Sequence, residues 1–153
     1  MKIRYFPIIA KNVKNLSEFY VSILRAEAKV FDEHYVEIPI EDGFTLGIES
    51  TVSIQNRSGV AIAPSPSVIE FRVDNVDEEY TRLENLGINI VSQLTTTSWG
   101  TRGFSFKDPD GNLLSFYSDL CLRELPRAVF CHHGQECAGC VRSEPPVSEN
   151  HDG

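Results

Sequence analysis

Positive charge is what this sequence is short of: 14 Lys and Arg stand against 22 Asp and Glu in 153 residues, a formal net charge of −8. A nucleic-acid backbone needs a basic face to neutralise it, so the balance argues against that class of partner. Long apolar runs are missing too. None approaches the roughly 20 residues that span a bilayer. The opening Met1-Lys2-Ile3-Arg4-Tyr5-Phe6-Pro7 also lacks the features of a secretory signal, so a cytoplasmic protein without membrane contact is expected. Cysteine is absent from the stretch before Cys121; all four cysteines (Cys121, Cys131, Cys137 and Cys140) come after it, where they cannot staple a fold.

What is present is ordinary globular material, 41% hydrophobic and 24% charged, enough for one domain or two small modules sharing a core. From Ile3 to Ile9 the chain reads as a strand. Val13, Leu16, Tyr20, Ile23 and Leu24 then recur at helical spacing, with Asn15 and Glu18 as a capping box. Strands follow at Glu27 to Phe31, Tyr35 to Ile40 and Phe44 to Glu49. The order repeats. Val68 to Val73 is a strand, and Asn75 caps a helix with Asp77, Glu78 and Glu79 in its first turn and Val76, Tyr80, Leu83 and Leu86 as its buried stripe. Gly87 ends that helix. Strands at Ile88 to Ser92, Thr101 to Phe106 and Leu113 to Tyr117 complete the set. Each half is therefore β-α-β-β-β, the first at 1–50 and the second at 68–118. The polar, breaker-rich 51–67 reads as a linker, and 119–153 as a Cys/His-containing, partly disordered tail.

The last two strands are joined by Asp108-Pro109-Asp110-Gly111-Asn112, a tight turn with a preset φ at proline and a free one at glycine. Together with Phe106 before it and Leu113, Leu114 and Phe116 after it, this stretch resembles the final hairpin of the vicinal-oxygen-chelate superfamily. That superfamily contains glyoxalase I, extradiol dioxygenases, and fosfomycin- and bleomycin-resistance proteins. Phe19-Tyr20 and Phe71-x-Val73-x-Asn75-Val76 are similar to its recurrent helix and second-module entry. The resemblance implies an α+β fold of two βαβββ modules forming a partly open, curled mixed sheet around a pocket. Arg25 departs from the pattern, which has glycine there.

Strand parity assigns the inward residues. Phe6 and Ile8 face the helices, so Tyr5 and Pro7 face in; Phe71 and Val73 face the helices, so Val68, Glu70 and Arg72 face in; on the last strand Ser115 and Tyr117 do. A register slip of one residue would instead put Glu70 and Arg72 on the surface. In metal-dependent relatives four inward positions carry His or Glu. The resemblance places them at Tyr5, Glu49, Val68 and Ser115, of which only Glu49 ligates well, so no metal is expected in the core cleft. The alternative is a divalent metal at a shifted site using Glu49 with Glu70 or Glu37.

Trp99-Gly100-Thr101-Arg102 resembles a segment lining the drug groove of bleomycin-resistance-like members. Trp99, Tyr5, Tyr35 and Tyr117 would then stack on a small-molecule ligand, with Glu49, Glu70 and Arg72 fixing its polarity and Ser115 also lining the site. Arg72 and Arg102 can instead hold a carboxylate or phosphonate. A homodimer is expected, because open sheets of this kind are completed across a two-fold. Three functions stay open: metal-free sequestration of a drug or metabolite, a metal-dependent glyoxalase-like lyase or dioxygenase, or a structural or interaction module with the Cys/His tail as its contact. In the tail, Cys131, His133, Cys137 and Cys140 form a second candidate metal site.

Overall fold

Two four-stranded sheets with the same strand order carry the molecule. The computed structural model describes residues 3–40 and 43–120. In the first module β1 (Tyr5–Ile9) leads into α1 (Val13–Leu24), then β2 (Lys29–Asp32), β3 (Tyr35–Ile40) and β4 (Phe44–Glu49). Helix α2 (Thr51–Ser58) follows. The second module runs β5 (Val68–Arg72), α3 (Val76–Asn85), β6 (Ile90–Thr96), β7 (Thr101–Lys107) and β8 (Leu113–Asp119). The sheets are ordered β1-β4-β3-β2 and β5-β8-β7-β6. In both, the first strand lies parallel to the last and the others are antiparallel. The repeat expected from sequence is thus present in topology as well as in element order.

The helices form where apolar spacing gives them one buried stripe. Val13, Leu16, Tyr20 and Ile23 of α1 are buried, as are Val76 and Leu83 of α3, and both sets belong to one core with Ile8, Ile38, Leu46, Ile48, Phe104, Phe106 and Phe116. Phe106 meets Phe116 edge-on at a centroid separation of 5.1 Å, and Tyr80 meets Phe104 likewise at 5.1 Å. Fully burying side chains of this size contributes about 1.5–3 kcal/mol each. Leu86 falls outside that stripe; it is the C-cap of α3 and half exposed, because Gly87 turns the chain there with φ 71°. Phe6, expected against the helices, is likewise partly exposed.

Three local details differ from the sequence reading. Asn12, not Asn15, caps α1: its extended backbone lets the side chain accept the Asn15 N–H at 2.9 Å. The stretch read as a linker begins with α2, capped by Ser50 and closed by Gly59 at φ 73°. Strand β6 starts later than expected and is longer, and two register irregularities break its alternation. Arg25 ends α1 in the left-handed region, φ 52°, the conformation that glycine adopts without strain.

Side chains tie the modules together. Tyr20 of α1 donates to Asp108 of the β7–β8 turn at 3.1 Å, and the Lys11 N–H donates to Asp110 at 2.7 Å. Arg82 of α3 donates to the carbonyl oxygens of Ser22 and Ile23, and Arg25 pairs with Glu79 at 3.0 Å.

Candidate functional site

Each sheet turns one face to its helix and leaves the other open, and each open face holds a cavity. On the first, strand register brings Glu49 of β4 opposite Tyr35 of β3 and Ile9 of β1. The Glu49 side chain is buried, with 2% of its surface exposed. Burial of a charge is tolerated only with donors around it, and Glu49 has three. The Tyr5 hydroxyl donates to Oε1. The Ser53 hydroxyl donates to Oε2 at 2.9 Å, and Arg57 Nη2 donates to both oxygens at 3.0 and 3.3 Å.

Ser53 and Arg57 come from α2, in the stretch taken for linker, and were missed for that reason. The signal was there in the spacing. Glu49, Ser53 and Arg57 are four apart, and Ser53 and Arg57 therefore share one face of any helix starting at Ser50. Tyr5 reaches Glu49 by lying over Gly47, and Tyr35 donates its hydroxyl to Glu37 and stacks on Phe31 at 4.9 Å. Burial, then the bond to Glu49, pushes the Tyr5 phenol well above its ordinary pKa; burial and the Glu37 bond raise that of Tyr35. Both remain protonated donors. Tyr5, Tyr35, Glu49, Ser53 and Arg57 line a cavity of about 270 Å³.

The second open face is larger and differently furnished. Glu70, Trp99, Ser115 and Tyr117 line a cavity of about 580 Å³ together with the hydroxyls of Ser92, Thr95, Thr97, Thr101 and Ser105. Some of those hydroxyls are already paired, Ser105 with Ser115 at 2.9 Å and Thr97 with Thr101 at 2.8 Å. Gly103 faces Tyr117 across the β7–β8 ladder, and a side chain there would sit 2.9 Å from the Phe116 carbonyl oxygen, so glycine keeps this wall thin. Trp99 stands at the lip with 74% of its surface exposed.

Of the residues singled out from sequence, Tyr5, Tyr35 and Glu49 meet in the first cavity and Glu70, Trp99, Ser115 and Tyr117 in the second. The two arginines do not join them. Arg72, 69% exposed, pairs with Asp119 at 2.8 Å instead of with Glu70. Arg102 alternates with Gly103 and shares the helix-side face of β7 with Phe104 and Phe106, where it forms a forked contact with Asp77 of α3 at 2.8–3.2 Å. Parity took it out of the cavity.

A metal centre needs at least three converging donors. The repeat superposes Tyr5 on Val68, Gly47 on Ser115 and Glu49 on Tyr117, because Tyr5 pairs with Thr45 where Val68 pairs with Leu113. The counterpart of Glu49 is therefore Tyr117, a correction to the alignment that placed Ser115 there. Glu49 is saturated by its own donors, Glu70 lies at the other cavity and Glu37 is bonded to Tyr35. Among the described residues no group of three or more His, Cys, Asp or Glu comes together. The donor set does not fit a metal centre, neither at the usual positions nor at the shifted site. Cys131, His133, Cys137 and Cys140 lie outside the described residues.

Paired βαβββ modules, each with an open concave face, define the vicinal-oxygen-chelate class of α+β protein. Residues 3–120 match the model of the glyoxalase-like domain, and the chain belongs to that family. It is 25% identical over 130 residues to the uncharacterized protein YraH of Bacillus subtilis (strain 168), covering 78% of this chain and all of that one. Among solved structures, a glyoxalase/bleomycin resistance protein/dioxygenase from Nocardioides superposes with a TM-score of 0.67 at 22% identity, over 78% of this chain and 84% of that one. Lactoylglutathione lyase from Agrobacterium tumefaciens superposes with a TM-score of 0.67 at 19% identity, over 76% and 92%. These two likenesses are of fold. No helix among the described residues is long and apolar enough to cross a membrane.

Proposed function

We propose that the protein binds a small, flat, cationic molecule in the second-module cavity without a metal, and acts by sequestration in the cytoplasm. The observation that carries this reading is the furnishing of that cavity: an exposed indole at the lip, a ring of hydroxyls, and Glu70, which has no ion pair among the described residues. An indole face offers stacking and cation–π attraction. Hydroxyls adapt as donor or acceptor, and Glu70 supplies the charge. The net charge of −8 draws cations toward it. A homodimer belongs to the same reading. Both cavities are open, and the edge strand β2 exposes Val30 and Phe31. A second copy laid over them would enclose the ligand.

The lyase or dioxygenase alternative has only the fold in its favour, since it requires a metal that the cleft residues do not fit. Trp99 is the sole tryptophan, so its fluorescence reports on this cavity alone. Titration with a small planar aromatic cation such as N-methylquinolinium should quench it and raise the melting temperature, and Glu70→Gln should weaken the effect. Absence of both responses, together with metal-supported turnover of a glyoxalase substrate, would reverse the assignment. The tail thiols and imidazoles are proposed as a separate zinc-type site, tested by metal analysis of the full chain against a truncation after Leu120.

A further inference from the structure

We infer that the first-module cavity is a second, separate ligand site, which takes a small aromatic carboxylate on the Arg57 guanidinium. An eight-residue helix does not hold together alone, and α2 buries only Ile54. What fixes it is polar: the Ser50 cap at its start and the contacts of Ser53 and Arg57 with the buried Glu49 carboxylate. Glu49 thus sets the position of Arg57.

The tether leaves the guanidinium uncommitted on its other side. Arg57 engages Glu49 through Nη2 alone, and among the described residues Nη1 and Nε make no hydrogen bond. Its side chain is 60% exposed beside a carboxylate that is 2% exposed. The group presented to an incoming molecule is therefore the free edge of the guanidinium, the Glu49 oxygens being covered by Tyr5, Ser53 and Arg57 itself. A guanidinium N–H to a carboxylate is a charge-assisted bond, stronger than a neutral one.

The rest of the lining selects the remainder of the ligand. The Tyr5 and Tyr35 hydroxyls are given away to Glu49 and Glu37, so the two phenol rings offer the cavity apolar faces rather than donors, and Phe31 stacks on Tyr35. A volume of about 270 Å³ suits one substituted ring. A divalent cation has no place here: it would meet a fixed positive charge and a carboxylate whose oxygens are already occupied.

The site uses none of the second-module residues, so it stands or falls apart from the proposed function. The isotope-labelled full-length protein is titrated with benzoate, with neutral benzamide as control, and two signals are followed by NMR: the Arg57 Nε–H and the single Trp99 indole N–H. Benzoate should shift the Arg57 signal and the Gly47 amide saturably and leave the indole in place, benzamide should do neither, and Arg57→Gln should weaken binding about tenfold or more while Arg57→Lys retains part of it. If Arg57→Gln does not fold, the wild-type map decides alone. Equal response to benzamide, shifts confined to the indole and second-module amides, or no saturable response overturns the inference.

Discussion

Tyr5 lies so close over Gly47 that a methyl group placed on the glycine would fall 1.8 Å from the tyrosine hydroxyl oxygen. The contact explains why β4 carries a glycine in mid-strand: it is the floor that lets the phenol reach Glu49. Gly47→Ala should therefore displace Tyr5 and leave Glu49 short of a donor, a loss of about 1–3 kcal/mol from overpacking and an unmet buried acceptor together. Tyr5→Phe should cost about 1 kcal/mol. In urea unfolding the double variant should fall short of the sum, because both changes break one contact. Full additivity would mean that Gly47 serves something other than Tyr5.

Arg25 gives a prediction of opposite sign. A non-glycine residue in the left-handed region costs about 1–2 kcal/mol, and its exposed pair with Glu79 returns about 0–1 kcal/mol. Glu79 keeps Arg82 as a partner at 2.5 Å when Arg25 is removed. Arg25→Gly should thus raise the melting temperature by a few degrees. A fall would show that the Arg25 to Glu79 tie between modules outweighs backbone strain.

The fold was legible because its signals were local and redundant. The apolar stripe from Val13 to Ile23, the cap at Asn75, the stop at Gly87 and the turn at Asp108 to Asn112 each sit beside what they define. The candidate site was legible in half. Parity from apolar neighbours placed Tyr5, Glu70, Ser115 and Tyr117, and the same parity, applied to β7, would have removed Arg102. Arg57 was hidden for a different reason: α2 has little apolar periodicity and is held by a carboxylate outside the helix, so nothing in its own composition announced it. The equivalence of Glu49 with Tyr117 needed the strand register, which a sequence does not print.

Asp77 and Arg102 yield a pH dependence. The hydrogen bond from Arg102, opposed in part by desolvation, holds the Asp77 carboxyl below its ordinary range. A carboxyl depressed in the folded state contributes stability above its unfolded pKa of about 3.9 and loses it as pH falls through the lower folded value. Asp77 is 58% exposed, so Asp77→Asn should destabilise by only about 0.5–1 kcal/mol near pH 7. Urea midpoints of the two proteins should converge as pH is lowered through the depressed range of the folded carboxyl, where the wild-type side chain takes up its proton. A gap that persists in acid would trace the effect to the α3 N-terminus rather than to ionisation.

Asp108 carries the greatest expected loss. Its carboxylate is 5% exposed and receives four donors: the backbone N–H groups of Asp110 and Asn112 at 3.0 and 2.8 Å, the Asn112 side-chain amide at 2.6 Å and the Tyr20 hydroxyl at 3.1 Å. Every one points inward, so an amide in its place sets N–H against N–H or O–H on one side whichever way it is turned. Asp108→Asn should cost about 2–4 kcal/mol, more than Tyr20→Phe, which removes one donor and leaves three for about 1 kcal/mol. Because Tyr20 belongs to the first module and Asp108 to the second, the two changes should also couple in a double-mutant cycle by at least about 0.5 kcal/mol. Independent losses would mean that the turn is stabilised within its own hairpin and that the modules are held together by Arg82 and the shared core instead.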